Sequence, residues 1–376
     1  MEQTTTKKTA SKYHVIKSFD DLVKEIHEED LCNSCYGCVS FCSAHHLDAI
    51  EVPKGGGPPR YKNKDSCQQC GICYLICPQT HVMDKELNEK FNNTTPLGNW
   101  TGVASTRATS QKILDNATDG GVVTAILVHL LETKQIDGAI VARKVGPFNR
   151  EAYFAVTREE LVETAGSHYS ISNQVVELER YDTYVTAITQ LKKVLNFDHL
   201  KIAFVGTPCQ INSIRKMQEL NILPAHVVKY TFGLFCYMNF SFGIRNRMEM
   251  EQKFSFSFKD VEKINIKESM IVQMRDGTTM TIAFPHLKEY AKPACTTCTD
   301  FSNVYADISF GGLGSPDGYT TVLRRTEKGE EVYRNALKDG YIEAPDELNN
   351  LASKNAMLEK VRACSKKKAR RANQKA

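Results

Sequence analysis

Twelve of the thirteen cysteines in this 376-residue chain stand at positions able to gather thiolates around metal. Cys32, Cys35, Cys38 and Cys42 read C-x2-C-x2-C-x3-C, and Cys67, Cys70, Cys73 and Cys77 repeat the run with Pro78 after it. A [4Fe–4S] cubane takes several thiolates from one tight turn and another from a distance. Paired runs of this kind serve two clusters by exchanging their fourth ligands. The spacing therefore assigns Cys32, Cys35, Cys38 and Cys77 to one cluster, and Cys67, Cys70, Cys73 and Cys42 to the other. Gly37 and Gly71 are expected inside the turns, where a missing side chain lets the backbone close around the metal. Ser43 stands where the first run would usually carry proline.

Two other uses of cysteine compete with this one. A disulfide framework belongs to secreted chains, and the polar, basic first residues carry no apolar signal segment, so free thiols are expected. Zinc suits an isolated C-x2-C pair, but two complete four-cysteine runs exceed what a zinc ribbon needs. Residues 29–88 are thus expected to be a two-cluster ferredoxin module. Residues 1–28 would form an arm with a short amphipathic stretch from Phe19 to Ile26. Gly55-Gly56-Gly57-Pro58-Pro59 marks a loop between the runs, and the text from His81 to Trp100 reads as a linker.

From there to about residue 350 the pattern changes to alternating helices and strands, the grammar of an α/β domain. Helical periodicity covers Val122 to Thr133 and Ile211 to Glu219, and strands are expected at Ala139–Arg143, Lys201–Val205, Val227–Phe235, Ala306–Phe310 and Thr320–Arg324. The fold class is then a ferredoxin module followed by an α/β domain. Chemically unusual residues stand just beyond the strand ends, where open α/β sheets bind ligands. Cys209 and Cys236 each follow a buried strand, and Cys295 and Cys298 add a C-x2-C pair, which together would make a third four-thiolate site. Single cysteines also serve as small buried hydrophobes, and the pair could act as a dithiol redox centre. Cys364 stands alone and is expected to be inert.

The chain carries 48 basic and 44 acidic side chains. This balance argues against a nucleic-acid surface spread over the whole protein. No uncharged apolar run reaches about 18 residues, so no membrane span is expected. In the segment 351–376, Lys366, Lys367, Lys368, Arg370, Arg371 and Lys375 come without an acid; a solvated, disordered tail is the expectation, and docking on an acidic partner or an anionic membrane face is its alternative.

Several motifs in order resemble the coenzyme F420 hydrogenase/dehydrogenase beta-subunit family across roughly residues 100–335. They are Asp119-Gly120-Gly121-Val122-Val123-Thr124-Ala125, Ile136-Asp137-Gly138-Ala139, Gly206-Thr207-Pro208-Cys209-Gln210, Gly233-Leu234-Phe235-Cys236, Cys295-Thr296-Thr297-Cys298-Thr299-Asp300 and Ala306-Asp307-Ile308-Ser309. With the ferredoxin module in front, the arrangement is most similar to the electron-input subunits of F420H2 dehydrogenases. The resemblance implies FAD, a third [4Fe–4S] cluster on Cys209, Cys236, Cys295 and Cys298, and hydride exchange with coenzyme F420. It assigns flavin contacts to Asp119, Gly120, Gly121 and Val122, with Thr207 and Pro208 nearby. On the residues alone, Gly120 and Gly121 at a helix start could admit a pyrophosphate to free N–H groups, with Asp119 as the cap, or could simply begin an ordinary capped helix. Ser167, His168, Tyr169 and Ser170 form a polar cluster that could contact flavin or substrate.

Electron counting gives such a combination its logic, since a deazaflavin delivers two electrons as hydride and a cluster accepts one. A flavin between them can divide the pair. The expected protein is a cytoplasmic, anaerobic oxidoreductase subunit exchanging electrons with a larger redox complex, with peripheral membrane docking as one use of the basic tail. A ferredoxin-linked reductase of a disulfide or small organic acceptor, and a non-catalytic electron-transfer subunit, are the other readings. No general base is required, and no nucleic acid partner is expected.

Overall fold

The run Ile202-Ala203-Phe204-Val205 shows no polar alternation because both of its faces are covered, as in the interior of a parallel sheet. In the computed structural model, Ile202 and Phe204 pack into one apolar cluster and Ala203 and Val205 into another, on opposite faces of the strand. The structure describes residues 16–145, 150–166, 174–181, 200–266 and 269–374. The polar cluster Ser167–Ser170 lies outside these residues.

Near the N-terminus, β1 (Ile50–Glu51) pairs with β2 (Arg60–Tyr61). Phe19, Leu22 and Ile26 pack here against Val39, Ile50 and Tyr74. The stretch expected as a leading arm is thus built into the core of the cysteine-rich module. Eight further strands form one mixed sheet: β3 (Gly102–Ala108), β4 (Gly138–Lys144), β5 (Arg150–Ala155), β6 (Ile202–Gly206), β7 (Val228–Leu234), and, after a separate small sheet, β11 (Ile308–Gly311), β12 (Thr320–Arg324) and β13 (Ile342–Glu343). Their order is β13-β3-β12-β11-β7-β6-β4-β5. The central four, β11, β7, β6 and β4, run parallel, and antiparallel strands close both sides. All four parallel strands therefore end on one rim.

The helices Val122–Glu132 and Glu327–Lys338 cover one face of the sheet, and Pro208–Glu219 covers the other. Phe41, Ile76 and Leu87 of the N-terminal module join the apolar cluster beneath Pro208–Glu219. The stretch expected as a linker holds a helix, Asp84–Lys90, whose buried Leu87 is part of that contact. Below the sheet, Asp307 pairs with Arg215 at 3.0 Å and accepts from the backbone N and the hydroxyl of Thr231.

Between Cys236 and Cys295 lies an antiparallel meander, β8 (Val261–Ile266), β9 (Met270–Met274) and β10 (Thr279–Ile282), with its own small core. The solvated tail expected at the C-terminus is instead a helix, Leu351–Asn373. It buries Met357, Leu358, Val361, Ser365, Lys368 and Ala372. Among the described residues, no helix is long and apolar enough to cross a membrane.

Candidate functional site

Left-handed backbone shapes both N-terminal cysteine turns in the same way. Ser34 and Tyr36 have φ of 56° and 63°, and their counterparts Gln69 and Gly71 have 50° and 75°. Each turn then enters a short helix, Gly37–Ala44 or Ile72–Leu75. Gly71 supplies a positive φ that other residues adopt at a cost. Gly37 serves packing, since a Cβ there would lie 1.9 Å from Ser213 Oγ. Its missing side chain lets the Gly37–Ala44 helix approach the Pro208–Glu219 helix, while Tyr36 holds the left-handed position in the turn.

All thirteen cysteines are free thiols. Burial raises the pKa of most of them, and mutual repulsion then shows which thiols are neighbours. Cys38 is pushed well above the usual thiol range by burial, with Cys35, Cys32, Cys73 and Cys77 adding to the effect. Cys73 is pushed up to about 12 by burial and then by Cys70, Cys67 and Cys42. Cys209 is likewise pushed up to about 12 by burial, with Cys298 and Cys295 contributing. Cys236 is raised by burial, and by Cys295, Cys209 and Cys298 in turn. Among the described residues no three His, Cys, Asp or Glu side chains close on a single metal ion. An iron–sulfide cubane stands between its thiolates and holds them farther apart than one ion does. The neighbouring thiols of the three sets carry the sulfur donor chemistry that iron–sulfur clusters use.

The three sets also lie in sequence. Cys35 is raised by Cys209, which puts the first set beside the third, and the repulsion between Cys38 and Cys73 puts the second beside the first. Cys70, in the second set, is exposed. Polar contacts fix these junctions. Buried Lys216 donates to the carbonyl of Cys77 at 2.9 Å and pairs with Asp84 at 3.3 Å. Gln79 donates to Asn33 Oδ1 at 2.6 Å and to the carbonyl of Ala294 at 3.1 Å, tying both N-terminal runs to the short Ala294–Thr297 helix that carries Cys295.

Separate elements bring the third set together. Cys209 stands in the first turn of Pro208–Glu219, inside the Thr207–Gln210 capping box. Cys236 follows β7, and its N–H donates to the carbonyl of Phe301 at 2.8 Å. Asn239 donates from Nδ2 to Cys236 Sγ at 3.3 Å and from its backbone N to Cys295 Sγ at 3.4 Å. The C-terminal helix completes the wall. Lys368 Nζ donates to the carbonyls of Cys236 at 2.6 Å and Asp300 at 2.7 Å, and Arg371 to that of Cys295 at 2.8 Å.

Beside this set opens a cavity of about 510 Å³ at the rim where the parallel strands end. Such a volume lies within the usual range for a small-molecule site. Its walls include Gly206, Thr207, Leu234, Phe235 and Gly311 at or just beyond strand ends, Val141 from within β4, and Asp119, Gly121 and Val122 from the start of the Val122–Glu132 helix. Gly121, in the left-handed conformation, occupies the N-cap position, and the helix has no side-chain cap. Its first N–H groups and positive dipole end are therefore available to an anion such as a pyrophosphate. Asp119 does not cap this helix; its carboxylate accepts from Asn265 at 3.3 Å. Gly120 and Pro208 are outside the lining, and Gly120 is instead required by packing, since a Cβ would meet Thr106 O at 2.7 Å. Cys236 and Asn239 line both the cavity and the third thiol set. Phe235, Phe284 and Phe301 supply aromatic wall, and Lys360, Cys364 and Lys367 come from the C-terminal helix. Cys364, expected to stand alone and inert, lines the cavity, with burial pushing its thiol up to about 11. Asn239, Asn265 and the lysines of the last helix carry no spacing signal that would have marked them.

Comparison with known proteins agrees with this architecture. Two models describing the beta subunit of coenzyme F420 hydrogenase/dehydrogenase match, the N-terminal one over residues 98–178 and the C-terminal one over 199–349. The coenzyme F420 hydrogenase subunit beta of Methanosarcina barkeri is 34% identical over 252 residues, covering 66% of this chain and 82% of that protein. An F420H2 dehydrogenase subunit of Methanosarcina mazei is 27% identical over 325 residues, covering 83% of this chain and 84% of that one. A chain of the F420-reducing [NiFe] hydrogenase complex from Methanosarcina barkeri, solved as a xenon derivative, superposes with a TM-score of 0.63 at 30% identity. That superposition covers 75% of this chain and 93% of the other. The strand-end cavity, its adjoining thiol set and the sheet that carries them thus belong to a chain of the coenzyme F420 hydrogenase/dehydrogenase beta-subunit family.

Proposed function

We propose that this chain is the electron-input subunit of a larger redox complex, exchanging hydride with coenzyme F420 at FAD and passing single electrons through three [4Fe–4S] clusters. Bound FAD would supply the conversion between a two-electron hydride and the one-electron chemistry of iron–sulfur clusters. The observation that carries this reading is the shared wall: Cys236 and Asn239 face the cavity and belong to the third thiol set at once.

Each region of the chain has a role in this scheme. The uncapped start of Val122–Glu132 would receive the dinucleotide phosphates, and Asp119, Gly121, Val122 and Thr207 would line the flavin site. The aromatic and aliphatic walls would keep water away from a hydride transfer, and the strand-end residues would help position the reacting partners. Ligation would follow the three thiol sets, Cys209, Cys236, Cys295 and Cys298, then Cys32, Cys35, Cys38 and Cys77, then Cys67, Cys70, Cys73 and Cys42. The last set reaches the surface at Cys70, which makes that side the exit toward a partner.

Anaerobic oxidation of F420H2 with an artificial one-electron acceptor tests the assignment. Turnover that bleaches a bound flavin is the expected result. A fully loaded protein whose flavin stays oxidised with F420H2, yet bleaches with another two-electron donor, would move the substrate away from F420.

A further inference from the structure

Lys368 lies in the Leu351–Asn373 helix, beyond residue 349 where the family match ends. It is only 1% exposed. Its ammonium group donates to two neutral carbonyls, those of Cys236 and Asp300. The buried carboxylate of Asp300 accepts from the backbone N–H groups of Asn303 and Val304 and also attracts the ammonium group through space. Moving an ammonium out of water costs several kcal/mol unless an opposite charge compensates it. The thiols of the third set are the other surrounding groups that can carry negative charge: one of the two carbonyls belongs to Cys236, and Arg371, farther along the helix, binds the carbonyl of Cys295 at 2.8 Å.

We propose that Lys368 is the built-in counter-charge of the third cluster, a positioning residue that raises its reduction potential so that it accepts electrons directly from the cavity. The inference rests on the functional reading above. A cluster on four thiolates is anionic and gains one unit of negative charge on reduction, so a fixed cation beside it favours the reduced state. One electron enters, no bond is made or broken, and no proton need move. A buried site screens the charge weakly, so its influence on the cluster exceeds that of a surface lysine. The same contacts make the C-terminal helix part of the redox centre: it seals the cavity through Lys360, Cys364 and Lys367 and delivers Lys368 behind that wall.

The test is an anaerobic, EPR-monitored redox titration of the full chain carrying Lys368→Met, with Lys368→Arg as the charge-conserving control. The third-set signal is identified by its loss in Cys298→Ser. At the wild-type midpoint, the methionine variant should show a reduced-to-oxidised ratio lowered at least tenfold, equivalent to about 59 mV for a one-electron couple. The arginine variant should titrate close to wild type. An unchanged midpoint in Lys368→Met at full iron content overturns the proposal. Loss of third-set iron in Lys368→Met but not in Lys368→Arg supports the counter-charge, whereas loss in both makes Lys368 a packing residue and overturns it. Iron analysis of the wild type separates the two levels: about eight irons per chain instead of about twelve would remove the third cluster itself.

Discussion

The N-terminal module and the sheet domain each assemble cysteines, by opposite routes. In the module, Cys32 to Cys42 and Cys67 to Cys77 come from two short runs whose turns repeat the same left-handed φ pattern at Ser34, Tyr36, Gln69 and Gly71. In the sheet domain, Cys209, Cys236, Cys295 and Cys298 arrive from a helix start, a strand end and the one-turn helix Ala294–Thr297 with its C-cap, and the C-terminal helix closes over them. A local site depends on turn chemistry. A dispersed site depends on the whole tertiary structure, so distant changes should empty it while leaving the local sites filled.

The strongest test of that contrast is truncation after Asn350. It removes Lys368 and Arg371 from the third set and opens the cavity wall at Lys360, Cys364 and Lys367. The expected product retains the two N-terminal clusters and loses about four of about twelve irons together with its flavin. Equal loss from all three sets would show that the two regions do not differ in this way.

Arg215→Met should act next most strongly, because it strands Asp307 in the interior beneath β7 and β11. Breaking a buried pair of this kind costs about 3–5 kcal/mol, readable by denaturant unfolding of the anaerobic holoprotein. Burial alone would raise the Asp307 carboxyl, but Arg215 and Lys328 outweigh it and hold the pKa below the ordinary carboxylate value. A depressed folded-state pKa stabilises above the unfolded-state value and is lost as pH falls through the folded-state value. The wild type should therefore keep this contribution at neutral pH and lose it only below about pH 4, whereas in the variant, where Arg215 no longer offsets burial, protonation of Asp307 should recover part of the lost stability as pH falls.

Gly37→Ala is expected to have the smallest effect and bears on the junction between the regions. The added methyl would meet Ser213 Oγ at 1.9 Å and Ser213 Cβ at 3.0 Å. Overpacking of this kind costs about 1–3 kcal/mol, and Ser213→Gly should restore part of it in a double-mutant cycle. A Gly37→Ala variant with wild-type stability and no coupling to position 213 would mean that the two helices separate more freely than their close approach implies.

The same contrast explains what the sequence reveals. Eight cysteines declare themselves through spacing because their contacts are local, and the parallel strands are legible from continuous apolar runs such as Ile202 to Val205. The third set is visible as two cysteines just beyond strand ends and a C-x2-C pair; that they meet depends on the order β11-β7-β6-β4, which no local pattern encodes. Composition hid the last helix. Five basic residues, Lys366, Lys367, Lys368, Arg370 and Arg371, crowd its end, although Met357, Val361, Ser365, Lys368 and Ala372 form a buried helical stripe. A lysine on the inward face reads as solvated until its carbonyl partners are known. The β8–β10 meander carried one overlooked signal, Asp276-Gly277 between β9 and β10, a pair that favours tight hairpins. Gly37 shows the converse error: a glycine beside a metal-binding turn can owe its place to a helix packed behind it.

The central claim is that one cavity and three thiol sets form a continuous path from a two-electron carrier to the surface. The most direct measurement is flavin, iron and acid-labile sulfide content of the intact chain purified without air. About one FAD and about twelve irons with matching sulfide are expected. A chain holding about eight irons, with no flavin and no uptake of added FAD, would contradict the claim.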